Sequence, residues 1–169
     1  PYLDAWVSER RGGEAGDVIR KGGAVRRIVS IVRRGEWVAF VGDQNAGKHA
    51  IFVPFFGLDA ASFPTPGLVS ARLEHPVFAG VAAHVPGNRI RVHLQRIAPP
   101  PPDLPLEEAI PWVVLRCHEA LEGWIARYPD QYAWFHRRWK TRPRGESPDI
   151  RLPAYPRRRK RARAAPERQ

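Results

Sequence analysis

Among 169 residues the sequence has no methionine and a single cysteine, Cys117. One thiol cannot close a disulfide within the chain, so the fold must rest on burial and hydrogen bonding. A reading frame begins with Met, whereas this chain opens Pro1-Tyr2-Leu3-Asp4, and we expect it to be a fragment. Uncharged apolar runs fall short of the roughly 18 residues that a membrane-crossing helix needs. No Cys/His cluster has zinc-ligand spacing, and no nucleophile elbow is present. Acidic groups are few, with 17 Asp+Glu against 28 Lys+Arg, for a formal net charge of +11. A hydrophobic content of 43% supplies enough material for a core and excludes wholesale disorder.

The positive charge is concentrated at one end. Residues 1–136 carry 15 basic and 14 acidic side chains, whereas residues 137–169 carry 13 and 3. From Pro143 onward Pro and Arg dominate, and the stretch Arg157-Arg158-Arg159-Lys160-Arg161 is a like-charge block expected to stay extended. Such a block is open to three readings. It can be a solvating tail, a sequence-independent contact to nucleic-acid phosphates, or an attachment to anionic lipid worth about 1 kcal/mol per cation. The folded part has to decide between them.

Periodicity predicts a helix within residues 1–12 through Leu3, Trp6 and Val7, and a second from Ala24 to Arg34 through Val25, Ile28, Val29 and Val32. Gly35 is its expected stop. Glu36 to Val41 reads as a buried strand and Ile51 to Phe56 as an extended segment, with Pro54 at an edge or bend. Pro66 to Glu74 reads as a short helix. Val77–Val85 and Arg89–Ile97 read as strands joined at Pro86-Gly87-Asn88, one face of the second being wet. Leu106 to Tyr128 is a long helix with an apolar stripe through Ile110, Val113, Val114, Cys117, Leu121, Trp124 and Ile125, and a further aromatic helix is expected from Asp130 to about Lys140. Helices among short strands define an α/β fold: a mixed sheet flanked by helices over residues 1–143, then a disordered basic tail over 144–169.

Two motifs fail on inspection. Gly42-Asp43-Gln44-Asn45-Ala46-Gly47-Lys48-His49 has phosphate-loop spacing, but His49 replaces the magnesium-binding hydroxyl. The segment after it is extended, where a phosphate loop must open a helix. His118-Glu119-Ala120-Leu121-Glu122 lacks the closing His of a zinc-protease motif, so His118 and Glu122 are expected as a surface pair one turn apart. Cys117 is expected in the core.

Three blocks carry a resemblance. Gly42-Asp43-Gln44 leads to Val53-Pro54-Phe55-Phe56-Gly57. Pro129-Asp130-Gln131-Tyr132-Ala133-Trp134 follows, and then His136-Arg137-Arg138-Trp139-Lys140-Thr141-Arg142-Pro143. In that order and spacing they resemble the C-terminal half of the bacterial lipid A biosynthesis acyltransferases, of the lysophospholipid acyltransferase superfamily. The opening residues suit the family's middle section, so the resemblance covers roughly residues 1–143, and the last block is its most specific part.

The resemblance implies an enzyme at the cytoplasmic face of the inner membrane that moves a fatty acyl chain from acyl carrier protein onto a hydroxyacyl chain of an anionic lipid A precursor, with no cofactor. Its general base would be a His followed after four residues by Asp or Glu. None of His49, His75, His84, His93, His118 or His136 has a carboxylate five positions on. The catalytic pair and the membrane anchor are therefore expected before Pro1, and the segment alone is expected to be inactive. Arg137, Arg138, Lys140 and Arg142 are candidates to hold acceptor phosphates, Arg138 and Arg142 on one helical face. The alternative is that this block caps the fold, its arginines pairing with acids such as Asp43. Arg11, Asp43 and Gln44 are further candidate substrate contacts, the latter two otherwise capping a turn. Phe55, Phe56 and Gly57 are candidates for an acyl-chain slot, or else core. Trp112, Trp124, Tyr128 and Tyr132 belong either to a bilayer interface or to the core. A mannosylated phosphatidylinositol acyltransferase and a basic nucleic-acid-binding module remain as alternatives, the latter disfavoured by the near-neutral 1–136 region.

Overall fold

The structure, a computed structural model, describes residues 2, 6, 9, 17–19, 23–47 and 50–145. The elements with defined bounds are α1 (Ala24–Arg33), β1 (Ile51–Phe55), β2 (Leu58–Ser62), α2 (Thr65–Leu73), β3 (Val77–Val85), β4 (Arg89–Ile97), α3 (Leu106–Arg127) and a 3-10 turn at Pro129–Gln131. The class is α/β as expected, and the strands form two antiparallel hairpins, β1–β2 and β3–β4. Of the first predicted helix, Tyr2, Trp6 and Glu9 are described and are helical; its other residues lie outside the described ones, as does the basic tail beyond Gly145.

α1 closes as its sequence dictates. Gly35 takes φ 78°, donates to Val32 O at 2.9 Å, and lets Glu36 N–H reach Ile31 O at 3.2 Å. These two bonds satisfy carbonyls that the helix end leaves open. Phe56 and Gly57 both adopt positive φ between the paired residues Phe55 and Leu58, the twist that a two-residue hairpin turn requires.

α3 lies against both hairpins. On one side Val113 and Ala120 meet Ala79 of β3 and Ile97 of β4, with Trp112, Cys117 and Trp124 packed around them. On the other, Ile125 meets Phe55 and Ala60, with Leu121, Tyr132 and Trp139 around them. Trp112, Trp124 and Tyr132 thus serve the core, and Tyr128 bonds His93 Nε2 through its hydroxyl at 3.1 Å. Small side chains at Ala79 and Ala83 line the covered side of β3. On one side of β4, Ile90, Val92 and Leu94 are 64%, 63% and 68% exposed, and on the other Arg89, Arg91 and Gln95 are exposed as well, so only His93 and Ile97 of this strand are covered.

Three expectations are corrected. Glu36 to Val41 is not a buried strand but irregular chain, with Trp37 81% exposed. A strand persists only where neighbours take its backbone groups, and among the described residues none pairs with it. The helix over Asp130–Lys140 is absent too. After the 3-10 turn the chain makes short turns, Trp134 N–H donating to Tyr132 O, His136 N–H to Ala133 O and Arg138 N–H to His136 O, each at 2.8 Å. This path drives Arg138 and Trp139 inward while Arg137 and Lys140 stay exposed, so Arg138 and Arg142 share no helical face. Finally, His118 and Glu122 form no surface pair: His118 is 2% exposed, and Glu122 Oε1 accepts the Phe56 N–H at 2.7 Å. The strand Leu58–Ser62 was not anticipated.

Candidate functional site

Two features lie beside each other: a buried polar junction that fixes the C-terminal segment, and an apolar cleft. The junction centres on Arg138, 1% exposed. Its Nη1 donates to Ala61 O at 2.7 Å and its Nη2 to Ser62 Oγ at 2.7 Å, while the guanidinium sits 5.3 Å from the centre of the Phe55 ring. His118 Nδ1–H donates to Pro54 O at 2.8 Å, which leaves Nε2 as an acceptor 3.3 Å from Arg138 Nη2. Ser62 Oγ–H can then donate to Ala60 O at 2.9 Å. Three segments distant in sequence are tied at one point. Burial, with Arg138 adding to it and the Pro54 bond opposing, holds His118 down at about 4, so the imidazole is neutral. Burial also draws the Arg138 guanidinium below its ordinary value, with Tyr132 and Asp43 opposing. No carboxylate forms an ion pair with Arg138 among the described residues. It caps the fold, as the second expectation for this block had it, but against a carbonyl and a hydroxyl rather than an acid.

Asn45 extends the junction to the loop before β1. Its N–H donates to His136 Nε2 at 2.9 Å, its Nδ2 to Arg138 O at 3.2 Å, and its Oδ1 accepts from Thr141 Oγ1 at 3.0 Å. Arg142 Nη1 donates to Asp59 O at 2.6 Å. Asn45, Ser62 and His118 were missed from sequence. His118 had a signal: it lies four residues after Val114 and three before Leu121, within the apolar stripe of α3.

The cleft has a volume of about 980 Å³. Trp37, Phe40, Val41, Phe78, Val92 and Leu94 are among the residues that line it, with Trp37 and Phe78 ring centroids 5.5 Å apart. Asp43 is a charged residue of its lining, and Tyr132 lines it with its hydroxyl buried. Pockets that accept organic ligands run to about 300–1,000 Å³, and this apolar wall suits a hydrocarbon chain better than a polar metabolite. Burial, reinforced by Asp43 and opposed by Arg138, raises the Tyr132 phenol, which therefore stays protonated at neutral pH.

Of the residues singled out in sequence, Asp43 lines the cleft, and Gln44 is exposed next to it. Arg137 and Lys140 are exposed, and Arg142 is half-buried. Phe55 is fully buried beneath Arg138, and Phe56 and Gly57 form the hairpin turn, so this trio is not brought to the cleft. Arg11 lies outside the described residues. No described His is paired with a carboxylate, and His118 is closed to any substrate by its burial.

An α/β fold with an apolar cleft beside a basic C-terminal segment is the class that these features define. Residues 1–141 match the family described as bacterial lipid A biosynthesis acyltransferase, and the chain belongs to that family. It is 31% identical over 150 residues to the lipid A biosynthesis palmitoleoyltransferase of Escherichia coli (strain K12), covering 86% of this chain and 47% of that protein. With the lipid A biosynthesis myristoyltransferase of the same organism it shares 32% over 162 residues, covering 92% and 48%. With the lauroyltransferase it shares 28% over 127 residues, covering 72% and 39%. The chain thus spans about half the length, or less, of these curated relatives. No helix among the described residues is long and apolar enough to cross a membrane.

Proposed function

We propose that the whole protein transfers a fatty acyl chain from acyl carrier protein to a hydroxyacyl group of a lipid A precursor, at the cytoplasmic face of the inner membrane. The observation that carries this reading is the cleft of about 980 Å³, walled by Trp37, Phe78, Val92 and Leu94 in a chain of the lipid A acyltransferase family. The relatives are named for palmitoleoyl, myristoyl and lauroyl groups, all hydrocarbon chains that such a wall accommodates. We place the acyl chain here rather than at Phe55-Phe56-Gly57, because Phe55 is fully buried and the next two residues are committed to a turn.

The acceptor is anionic, and Arg137 and Lys140 are exposed cations on a segment anchored through Arg138 and Arg142. Guanidinium and ammonium groups held this way bind phosphate by charge-assisted hydrogen bonds. Asp43, with Gln44 beside it, is placed to meet polar atoms at the cleft. In the reaction a base takes the proton of the acceptor hydroxyl, the oxygen attacks the thioester carbonyl, and the carrier thiolate leaves. Since no His here precedes a carboxylate by five positions, the base is assigned outside residues 1–169, and this segment alone is inactive in our reading.

The test is acyl transfer by the purified whole protein, with acyl groups presented on acyl carrier protein. A lipid A precursor should accept the chain, and R137Q/K140Q should raise the KM for this acceptor about tenfold or more with little change in kcat. Transfer to a mannosylated phosphatidylinositol in preference to the lipid A precursor would overturn the acceptor assignment.

A further inference from the structure

α1 separates its side chains by character. Val25, Ile28, Val29, Ile31 and Val32 fall on one side, with Ile28 4% exposed against the body of the protein. Arg26, Arg27, Ser30, Arg33 and Arg34 fall on the other, all exposed, and the helix has no acidic residue. Arg27 pairs with Asp17 and Arg34 with Glu36, which leaves Arg26 and Arg33, seven residues apart on one stripe, without a carboxylate partner among the described residues. Directly beyond the helix the chain exposes Trp37 and Val41 by 81% and 61%, and within it Val25 by 41%. Helix end and tryptophan both border the cleft, through Val32, Gly35 and Trp37.

We infer that the basic side of α1 and the ring of Trp37 form a docking surface for an anionic phospholipid bilayer. Two independent demands meet there. The unpaired guanidiniums need anions, which the phosphate layer supplies at about 1 kcal/mol per cation. The exposed indole and aliphatic groups need an apolar boundary, which a nucleic-acid backbone does not offer and a headgroup–acyl boundary does. Docked this way, the membrane meets the rim of the cleft, so a lipid chain could pass between bilayer and cleft without crossing bulk water. The inference rests on the membrane-face reading above for its setting, and names the surface that makes the contact.

The experiment is co-sedimentation of the full chain with phosphatidylcholine vesicles, with and without phosphatidylglycerol. Binding should require phosphatidylglycerol and weaken with salt. R26Q/R33Q should lower the affinity roughly tenfold or more, and W37A several-fold. R89Q/R91Q, which removes the same charge from exposed positions on β4, should change it less than twofold. Far-UV circular dichroism of each variant checks that the exposed substitutions leave the fold intact. Equal losses in the two arginine pairs would reduce the effect to net charge and overturn the inference. Unchanged binding in R26Q/R33Q would assign the contact to the basic tail, and an unchanged W37A would remove the apolar component; either result overturns it. So would a loss confined to a duplex oligonucleotide, with vesicle binding untouched. Acyl transfer is measured separately, so failure here and failure of the enzymatic reading are distinguishable.

Discussion

Arg138 Nη2 donates to Ser62 Oγ at 2.7 Å across 76 positions of sequence, in a site where the arginine is 1% exposed. A buried cation without a carboxylate survives because carbonyl and hydroxyl oxygens replace water at Nη1 and Nη2 and the Phe55 ring lies against its face, while Nε has no partner among the described residues. Removing it leaves Ala61 O without its guanidinium donor and opens a void over the Phe55 ring. R138A should therefore lose about 3 kcal/mol of stability, read as a lower urea midpoint. A variant as stable as wild type would show that the junction is dispensable.

His118 makes the junction pH-sensitive in a defined direction. Its folded value of about 4 lies below the ordinary 6.5, so the unfolded chain takes up the proton first as pH falls. The contribution is intact above about pH 6.5, is lost progressively down to about pH 4, and changes no further below that. It amounts to on the order of 3 kcal/mol. In H118Q, stability should depend less on pH across this window, as measured by urea midpoints at several pH values. Parallel curves for the two proteins would contradict the assignment.

Cys117 is set apart by burial, which pushes its thiol up to about 11. At pH 8 the folded chain should react with iodoacetamide roughly 100-fold more slowly than an ordinary thiol, and unfolding in urea should abolish the difference. Rapid labelling of the folded protein would show that this side of α3 is open.

Two glycines should respond with opposite signs. A Cβ on Gly67 would lie 2.4 Å from Ile110 O, in the contact between α2 and α3, whereas nothing stands within 4 Å of one on Gly123. G67A should cost about 1–3 kcal/mol through forced separation of the two helices. G123A, in the interior of α3, should gain about 1 kcal/mol from reduced backbone freedom in the unfolded chain. Thermal melts of both variants check the pair.

Elements whose information is local were legible in sequence. The bounds of β3 and β4 and the long α3 follow from alternation, from the Pro86-Gly87-Asn88 turn and from a continuous apolar stripe. Glu36 to Val41 has the composition of a strand, but pairing is decided by partners that composition does not reveal. The Asp130–Lys140 segment has helical spacing, yet Arg138 is drawn inward by Ala61 O and Ser62 Oγ on the β1–β2 hairpin, partners distant in sequence that spacing does not reveal. At the site, the family blocks contain Arg138 and Arg142, which the structure ties to carbonyls of the β1–β2 hairpin. Arg137 and Arg138 are neighbours of the same type, and only the path of the backbone makes one exposed and the other buried. The ties of Asn45 to His136 and of Ser62 to Arg138 join residues far apart in sequence, which no local pattern encodes.

The central claim is that the whole protein adds a fatty acyl group to lipid A. The most direct measurement is the mass of lipid A from a bacterium deprived of its own late acyltransferases and supplied with the gene for the whole protein. The account predicts lipid A heavier by one fatty acyl residue, with the gain reduced in R137Q/K140Q while the protein level stays the same. Lipid A of unchanged mass, with the protein present and folded, would contradict it.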